Sequence, residues 1–376
     1  MTGLDGQRVY LDWNATAPLR PEARAAMLEA MDVVGNPSSV HAEGRAAKAI
    51  VENARGQVAA LVGCAPDEVV FTSGATEAAT LAFSLKSARP GPLASPIEHE
   101  CVDAHASLQE LFERDSNGVF HPDQGIFDVL FEGNNIVCEA LANGETGQLT
   151  NPSDWTAENG ARNFSFSDIT QAAGKMVIDL SGTPVDLAVM SAHKFGGPKG
   201  IGATINRSGF DLDPTLKGGG QEKGRRSGTE NVVGIAGFGA AAEAARHDLD
   251  SQVWDRIEKL RNILEDTLAA AAPDTIFFGK ESARLPNTSC FAVPGWKGET
   301  QVMQMDLAGF AVSAGSACSS GKVQQASRVL LAMGFDEETA SSAIRVSMGP
   351  TTTEAEVLAF ADAWIDAYRR RKARAA

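Results

Sequence analysis

Short apolar runs that alternate with helical or turn-rich stretches constrain the fold of this chain most strongly. The first run, residues 68–71, is followed by a polar turn and then by helical composition over residues 78–85, which predicts a strand, a turn and a helix. Similar apolar runs follow at residues 135–141, 163–167, 187–191 and 200–205. This alternation predicts an α/β fold with a mainly parallel sheet.

The rest of the chain predicts further helices and a second region. Amphipathic helices are expected over residues 21–31 and 41–62, and a long tract rich in Ala, Glu and Arg over residues 231–272 is expected to be helical and to link two domains. Beyond it, predicted strands at residues 289–293 and 343–348 alternate with helical stretches. We therefore expect a smaller α+β domain in the C-terminal part.

The charge balance and the cysteines limit the partners that the chain can have. Lys and Arg number 33 against 48 Asp and Glu, and the net charge of −15 repels nucleic-acid backbones and anionic membranes. The five cysteines are odd in number and form no C-x-x-C pair or zinc pattern, so we expect neither a disulfide framework nor a metal site. Because the sequence shows no signal peptide or membrane-spanning stretch, we expect a cytoplasmic protein.

Lys194 is the first candidate for chemistry, because it closes an apolar strand and precedes a glycine-rich turn. A lysine in this position is ordinarily solvated. Here Ser191 and His193 lie beside it in sequence, and the glycines let a bulky group approach the backbone. A lysine that forms a Schiff base with an aldehyde cofactor requires such surroundings.

Two segments that follow strands could contribute to the same site. The turn at residues 72–77, which includes Ala75 and Thr76, could hold a phosphate at a helix N-terminus, although on this segment alone an ordinary helix cap is favoured. Asp168 and Gln171 follow a strand at a three-residue separation, which a capping box explains equally well. Beside a pyridine ring, the Asp168 carboxylate would instead keep the ring nitrogen protonated.

Cys318 and Arg345 are the remaining candidates. Cys318 lies in a stretch of small, polar residues, 313–321, where a thiol is accessible, whereas the other four cysteines lie in apolar or helical surroundings. Arg345 interrupts a strand-like alternation and by default is solvated. If it faces a cleft, its guanidinium could bind an α-carboxylate through two hydrogen bonds.

Taken together, the motifs resemble those of cysteine desulfurases, and the resemblance covers nearly the whole chain in order and spacing. The matching segments are residues 10–12, 14–16, 35–39, 71–77, 98–99, 145–147, 191–200, 218–222, 226–231, 285–287 and 313–320. These enzymes are fold-type I pyridoxal 5′-phosphate proteins related to class V aminotransferases, and the cysteine loop is similar to that of the NifS/IscS-like group. The implied division is a large cofactor-binding α/β domain over residues 14–245 and a small α+β domain over residues 1–13 and 246–376 that carries Cys318.

The resemblance also implies roles for individual residues. Lys194 would hold the cofactor as a Schiff base, His99 would stack on the ring and assist proton transfer, Asp168 would pair with the ring nitrogen, and Gln171 with the phenolic oxygen. The implied phosphate-binding residues are Ala75, Thr76, Ser191 and His193, with Thr229 reaching in from the second subunit of a homodimer; Asn14 and Arg345 would hold the substrate carboxylate.

Two departures from the family pattern affect these expectations. The usual Asn-Asn-Glu-Thr-Gly motif reads Asn143-Gly144-Glu145-Thr146-Gly147, so an asparagine expected to contact the phenolic oxygen is replaced by Gly144. After the substrate arginine, the usual Gly-Arg-Phe-Thr-Thr reads Gly349-Pro350-Thr351-Thr352-Thr353, and we expect the long C-terminal tail that engages a scaffold protein to be absent.

The activity implied by the resemblance is conversion of L-cysteine to L-alanine, with the sulfur taken by the Cys318 thiol as a persulfide and passed to an iron–sulfur scaffold or another sulfur-carrier protein. Two alternatives remain open. The same cofactor chemistry would suit a selenocysteine lyase or a related C–S β-lyase. The chain could also be a non-catalytic homologue that carries sulfur.

Overall fold

A computed structural model describes residues 6–89, 91–107, 112–114, 120–122, 124–151, 160, 162–315 and 326–375. Within them the strands are β1 (Val9–Tyr10), β2 (Val69–Thr72), β3 (Leu93–Ala94), β4 (Phe112–Arg114), β5 (Phe120–Pro122), β6 (Ile136–Cys138), β7 (Phe164–Asp168), β8 (Val185–Ser191), β9 (Gly202–Asn206), β10 (Ile276–Phe278), β11 (Thr288–Ala292), β12 (Phe310–Ala311), β13 (Ser313–Ala314) and β14 (Ala343–Ser347). The α-helices are α1 (Pro21–Met31), α2 (Ala42–Val62), α3 (Ala75–Ala82), α4 (Glu100–Asp103), α5 (Gln124–Phe131), α6 (Val232–Asp250), α7 (Val253–Ala271), α8 (Gly298–Leu307), α9 (Arg328–Ala332), α10 (Glu337–Ser341) and α11 (Glu354–Ala375).

Six strands form the large sheet in the order β2-β9-β8-β7-β6-β3. The pairs β3/β6, β6/β7 and β7/β8 are parallel, whereas β9 is antiparallel to both β8 and β2. Residues 192–201, which join β8 to β9, are too few for the helical crossover that a parallel pair requires, so the chain reverses direction there. The expected α/β fold with a mainly parallel sheet is confirmed, and the reversal places Lys194 in the turn between two central strands.

A second sheet, in the order β10-β11-β14-β13, is antiparallel throughout. Its hydrophobic core includes Val9 and Leu11 from the N-terminal segment and Phe360 and Trp364 from α11. Leu249, near the end of α6, packs against this core and also against the core of the large sheet. The boundary between domains after residue 245 stays a prediction.

Two predicted helix boundaries were wrong. The helical tract at 231–272 is two helices, because Gln252 adopts a left-handed conformation with φ of 56° between α6 and α7. Helix α3 begins at Ala75, three residues before the predicted start, and its N-cap residue Gly74 offers no side chain to cap it. The amides of the first turn of α3 therefore face the end of the sheet uncapped by a side chain.

In the described part of the chain, no helix combines the length and the apolar character that crossing a membrane requires.

Candidate active site

A cavity of about 630 Å³ opens at the edge of the large sheet where β2, β7 and β8 end. Ligands of α/β proteins bind beyond the carboxyl ends of strands, because loops and helix N-termini converge there. Ten of the twelve residues that the sequence assigned to the site line this cavity: Asn14, Ala75, Thr76, His99, Asp168, Gln171, Ser191, His193, Lys194 and Arg345. The fold therefore brings together residues that are more than 300 positions apart in sequence.

Lys194 ends a short 3-10 turn that directly follows β8. Its Nζ atom donates to the backbone oxygens of Asn14, at 2.8 Å, and Ala15, at 3.0 Å. Two fixed carbonyl groups therefore orient the amine along the wall of the cavity. The expectation that this lysine is merely solvated does not hold.

The N-terminus of α3, Ser191 and His193 form one end of the cavity. His193 Nδ1 lies 3.0 Å from Thr16 Oγ1. Burial, together with the nearby charges of Lys194 and Lys199, lowers the pKa of His193 to about 4, so its imidazole is neutral at neutral pH. Uncapped amides, hydroxyl groups and a neutral imidazole are donors suited to a phosphate.

Asp168 ends β7 and is 7% exposed. One of its oxygens, Oδ1, accepts from the backbone N–H of Thr170 at 2.8 Å; within the described residues its other oxygen makes no hydrogen bond. Residues 170–175 form a turn and not the α-helix that a capping box would require. The carboxylate is therefore free to pair with a ligand in the cavity.

Gln171 follows in the same turn. Its Nε2 atom donates to the backbone oxygen of Asn14 at 3.0 Å, and its Oε1 atom accepts from Lys175 Nζ at 2.8 Å. His99 lines the cavity from the N-cap position of α4, where its Nδ1 atom accepts from the backbone N–H of Cys101 at 3.1 Å. That bond leaves the His99 Nε2 atom to carry the ring proton when the imidazole is neutral.

Arg345, in the second sheet, is only 6% exposed and borders the cavity, which contradicts the default of a solvated arginine. Its Nη1 atom donates to the backbone oxygen of Gly144 and its Nη2 atom to Asp12 Oδ1, both at 2.9 Å. Its Nε atom is buried and has no hydrogen-bond partner among the residues that the structure describes. A guanidinium oriented in this way retains N–H groups for a carboxylate.

Asn14 is nearer to the protein interior than its expected role suggests, since it is 1% exposed. Its Oδ1 atom accepts from Lys175 and Asn287, and its Nδ2 atom donates to Thr288 Oγ1 at 2.9 Å and to the Gly144 oxygen at 3.3 Å. Both amide hydrogens are therefore engaged. To contact a substrate carboxylate, Asn14 Nδ2 would have to break its longer hydrogen bond, which is the one to the Gly144 backbone oxygen.

Of the two other assigned residues, one is described by the structure and does not line the cavity, and the other lies outside the described residues. Thr229 is exposed and lies after the glycine-rich segment, so its expected contact across a subunit boundary stays a prediction. Cys318 lies outside the described residues. Ser313 and Gly315 on one side of its segment, and Ala326 and Arg328 on the other, line the cavity.

The remaining cysteines are poor nucleophiles. Cys101, Cys138 and Cys290 are buried, and Cys64 is partly buried. Burial raises the pKa of Cys64 to about 12 and raises the pKa values of the other three well above the ordinary range, so all four are protonated at neutral pH. Their expected inertness as packing residues is consistent with this chemistry.

Three further residues of the site received no role from the sequence. Lys175 hydrogen-bonds Asn14 and Gln171, Asp12 pairs with Arg345, and Glu145 lines the cavity with a buried oxygen, Oε1, that has no partner among the described residues. Asp12 and Glu145 belong to segments that match the family motifs. In the sequence, this match alone indicated that they lie at the site. No comparable signal marks Lys175.

Comparison with known proteins places this geometry in a family. The model of the aminotransferase class-V family matches residues 9–360, and the chain belongs to that family, whose members use pyridoxal 5′-phosphate. It is also similar to proteins of one activity. A cysteine desulfurase from Cereibacter sphaeroides is 40% identical over 369 residues, covering 93% of each chain. The cysteine desulfurase IscS from Dictyoglomus turgidum is 35% identical over 365 residues, covering 93% of this chain and 92% of that protein.

The solved structures agree with the sequence comparison. A NifS-like protein from Rickettsia africae superposes with a TM-score of 0.86 at 32% identity, over 96% of this chain and all of that one. Within the class-V family, the chain is therefore a member of the cysteine desulfurases, which are enzymes that depend on pyridoxal 5′-phosphate.

The residues present fit this cofactor. The uncapped N-terminus of α3 suits the phosphate, and the Lys194 amine suits an aldehyde. The Asp168 oxygen that makes no hydrogen bond to the described residues suits a pyridinium nitrogen. The three groups border one cavity.

Proposed function

We propose that this protein converts L-cysteine to L-alanine and receives the substrate sulfur on Cys318 as a persulfide. The observation that carries the proposal is the convergence of Lys194, Asp168 and Arg345 on one cavity that is bordered by both flanks of the Cys318 segment. An amine, a carboxylate and a carboxylate-binding guanidinium are the groups that an amino-acid substrate and a pyridoxal cofactor require.

The residues divide the work of the reaction. Arg345 binds the substrate carboxylate and thereby orients the substrate. The bound cofactor supplies a sink for the electron pair that is left when the Cα proton is removed. Lys194 would accept that proton at Nζ, and Asp168 would hold the proton of the ring nitrogen.

Sulfur transfer is assigned to Cys318. Its thiolate attacks the substrate sulfur, an S–S bond forms, and the Cβ–S bond breaks with its electron pair remaining on carbon. Cβ takes up a proton, and Cα regains the proton held by Lys194 Nζ, which gives alanine. We assign proton transfer during these steps to His99, which lines the cavity. The persulfide on Cys318 then passes its sulfur to an acceptor, which we propose is an iron–sulfur scaffold or a sulfur-carrier protein.

We further propose a cytoplasmic homodimer in which Thr229 completes the phosphate site of the neighbouring subunit. Exposure of Thr229 in the single chain supports this proposal. Light scattering of the purified protein should give twice the mass of one chain, and Thr229→Ala should weaken cofactor binding. A purified native protein with the mass of one chain would contradict the assignment. So would a Thr229→Ala variant that binds the cofactor as tightly as the native protein.

An assay of alanine and sulfide from L-cysteine, with dithiothreitol and with or without pyridoxal phosphate, tests the activity. We expect the two products in equal amounts and only with the cofactor. Cys318→Ala should keep the yellow colour of the loaded protein and lose sustained alanine release, whereas the control Cys64→Ala should retain it. Undiminished turnover in Cys318→Ala would contradict the role of that thiol.

A further inference from the structure

Lys175 is a buried lysine at the base of the active site. It is 3% exposed, and its Nζ atom donates to Gln171 Oε1 at 2.8 Å and to Asn14 Oδ1 at 2.9 Å. Among the described residues, no carboxylate lies within ion-pair distance of it. Burying a lysine without a counter-ion costs free energy, so its place beside two site residues calls for a functional explanation.

The contacts of Lys175 determine how the Gln171 amide is turned. Lys175 Nζ donates to the amide oxygen of Gln171, so the NH₂ group of that amide points away from Lys175. One of the two N–H groups donates to the Asn14 backbone oxygen. The other is then available on the side of the cavity, which Gln171 lines.

Gly144 makes this orientation matter more. A Cβ atom placed on Gly144 would lie 3.4 Å from Gln171 Nε2, so residue 144 borders this amide and contributes no side chain of its own. The backbone oxygen of Gly144 is already engaged by Arg345 and Asn14. Gln171 is therefore oriented by Lys175 at its amide oxygen and by the Asn14 backbone oxygen at its NH₂ group.

We propose that Lys175 is a positioning residue that fixes the Gln171 side chain with its NH₂ group toward the cavity, as a donor to the phenolic oxygen of the cofactor. The inference rests on the proposed function, because it needs the cofactor in this cavity. It goes beyond that function because it assigns a role to a residue that is not among those lining the cavity.

The electrostatic surroundings agree with this task. Burial, and then the nearby charges of Lys194 and Arg345, lower the pKa of Lys175 well below its ordinary value. An uncharged amine still has N–H groups, so the two hydrogen bonds to amide oxygens hold the lysine in either protonation state. Its removal should act through the orientation of those amides.

The visible absorbance of the cofactor-loaded protein supplies the test, because it changes when the nitrogen that joins Lys194 to the cofactor loses its proton. The pH at the midpoint of this change is the measured quantity. A donor to the phenolic oxygen disperses negative charge beside that nitrogen. Lys175→Met frees Gln171 to turn, so the midpoint should rise by about one pH unit, equivalent to roughly 1.4 kcal/mol. Gln171→Ala should give a similar rise, and the double variant no more than either single variant.

A second variant guards against misfolding of Lys175→Met. Gln171→Glu gives Lys175 an ion partner, which keeps the buried pair satisfied, and removes the N–H donor. The apoprotein of this variant should therefore unfold at a temperature no lower than that of the native apoprotein. The pH midpoint of the absorbance of the loaded variant should nevertheless rise. Lys48→Met, at an exposed position on α2, is the matched control and should leave the midpoint unchanged.

The outcomes separate this inference from the proposed function. If the native protein binds the cofactor but the midpoint is unshifted in Lys175→Met or in Gln171→Glu, only the role of Lys175 is overturned. The same holds if the shifts of the two single variants add in the double variant. A native protein that forms no visible band with pyridoxal phosphate would overturn both.

Discussion

The Nζ atom of Lys194 lies 2.8 Å from the backbone oxygen of Asn14, and the same oxygen accepts from Gln171 Nε2 at 3.0 Å. One carbonyl group thus joins the proposed cofactor-bearing lysine to the residue proposed to face the phenolic oxygen. Because the acceptor is a backbone atom, substitution of the Asn14 side chain leaves it in place. The geometry of the site depends on the path of the chain at residues 14–15 as well as on side chains.

Replacement of Arg345 should affect substrate binding most. Arg345→Lys keeps a positive charge but loses the planar fork that pairs with a carboxylate. We expect the KM for L-cysteine to rise about 10- to 100-fold, with a smaller change in kcat, in steady-state assays of alanine formation. An unchanged KM would show that the carboxylate binds elsewhere.

Replacement of His99 should slow the chemical steps. The Cys101 backbone N–H fixes the imidazole through Nδ1, which leaves Nε2 for proton transfer. His99→Gln should lower kcat by about 10²- to 10⁴-fold while the protein still turns yellow with the cofactor. Cys101→Ala preserves the backbone donor and serves as the control, with kcat expected within a few-fold of native. A similar kcat in both variants would remove His99 from the mechanism.

The stability of the protein should depend on pH through Glu145. Burial raises the pKa of Glu145 to about 7 from its ordinary value of 4.5, against the lowering effects of Ser327, Arg345 and Arg328. A raised folded-state pKa stabilises the fold fully below about pH 4.5, and this stabilisation is lost as the pH rises through about 7.

Glu145→Gln should remove that loss. In urea unfolding of the apoprotein at pH 8, the variant should be more stable than the native protein by roughly 1–3 kcal/mol, whereas at pH 4.5 the two should agree. Equal pH profiles for the two proteins would show that Glu145 is ionised in the folded state at neutral pH.

Thiol reactivity should distinguish Cys318 from the other cysteines. Because burial raises the pKa values of Cys101, Cys138 and Cys290, brief treatment of the folded protein with iodoacetamide at pH 7.5 should leave these three unmodified. Peptide mass spectrometry should find the label on Cys318. Labelling of a buried cysteine ahead of Cys318 would contradict its assignment as the reactive thiol.

The sequence predicted five of the six described strands of the large sheet, because a buried strand must be apolar and must end in a polar turn. It did not predict β3, which is only two residues long. It did not predict that β9 runs against its neighbours, which follows from the length of the turn that contains Lys194. The break at Gln252 was also missed. A single left-handed residue between two helices leaves no mark on the hydrophobic pattern.

The site was predicted where a residue follows a strand or belongs to a recognisable motif, as with Asp168 and Lys194. Its supporting contacts could not be predicted, because they join residues that are distant in sequence. Lys175 and Asn14 are 161 positions apart, and Asp12 and Arg345 are 333 apart. Spacing along the chain carries no information about such pairs.

Reduction of the cofactor-loaded protein with borohydride, followed by peptide mass spectrometry, tests the central claim most directly. Borohydride fixes the cofactor to the amine that holds it. We predict one pyridoxyl group per chain, on Lys194, and none in Lys194→Ala. Attachment to Lys175 or Lys199 instead, or no attachment at all, would contradict the account.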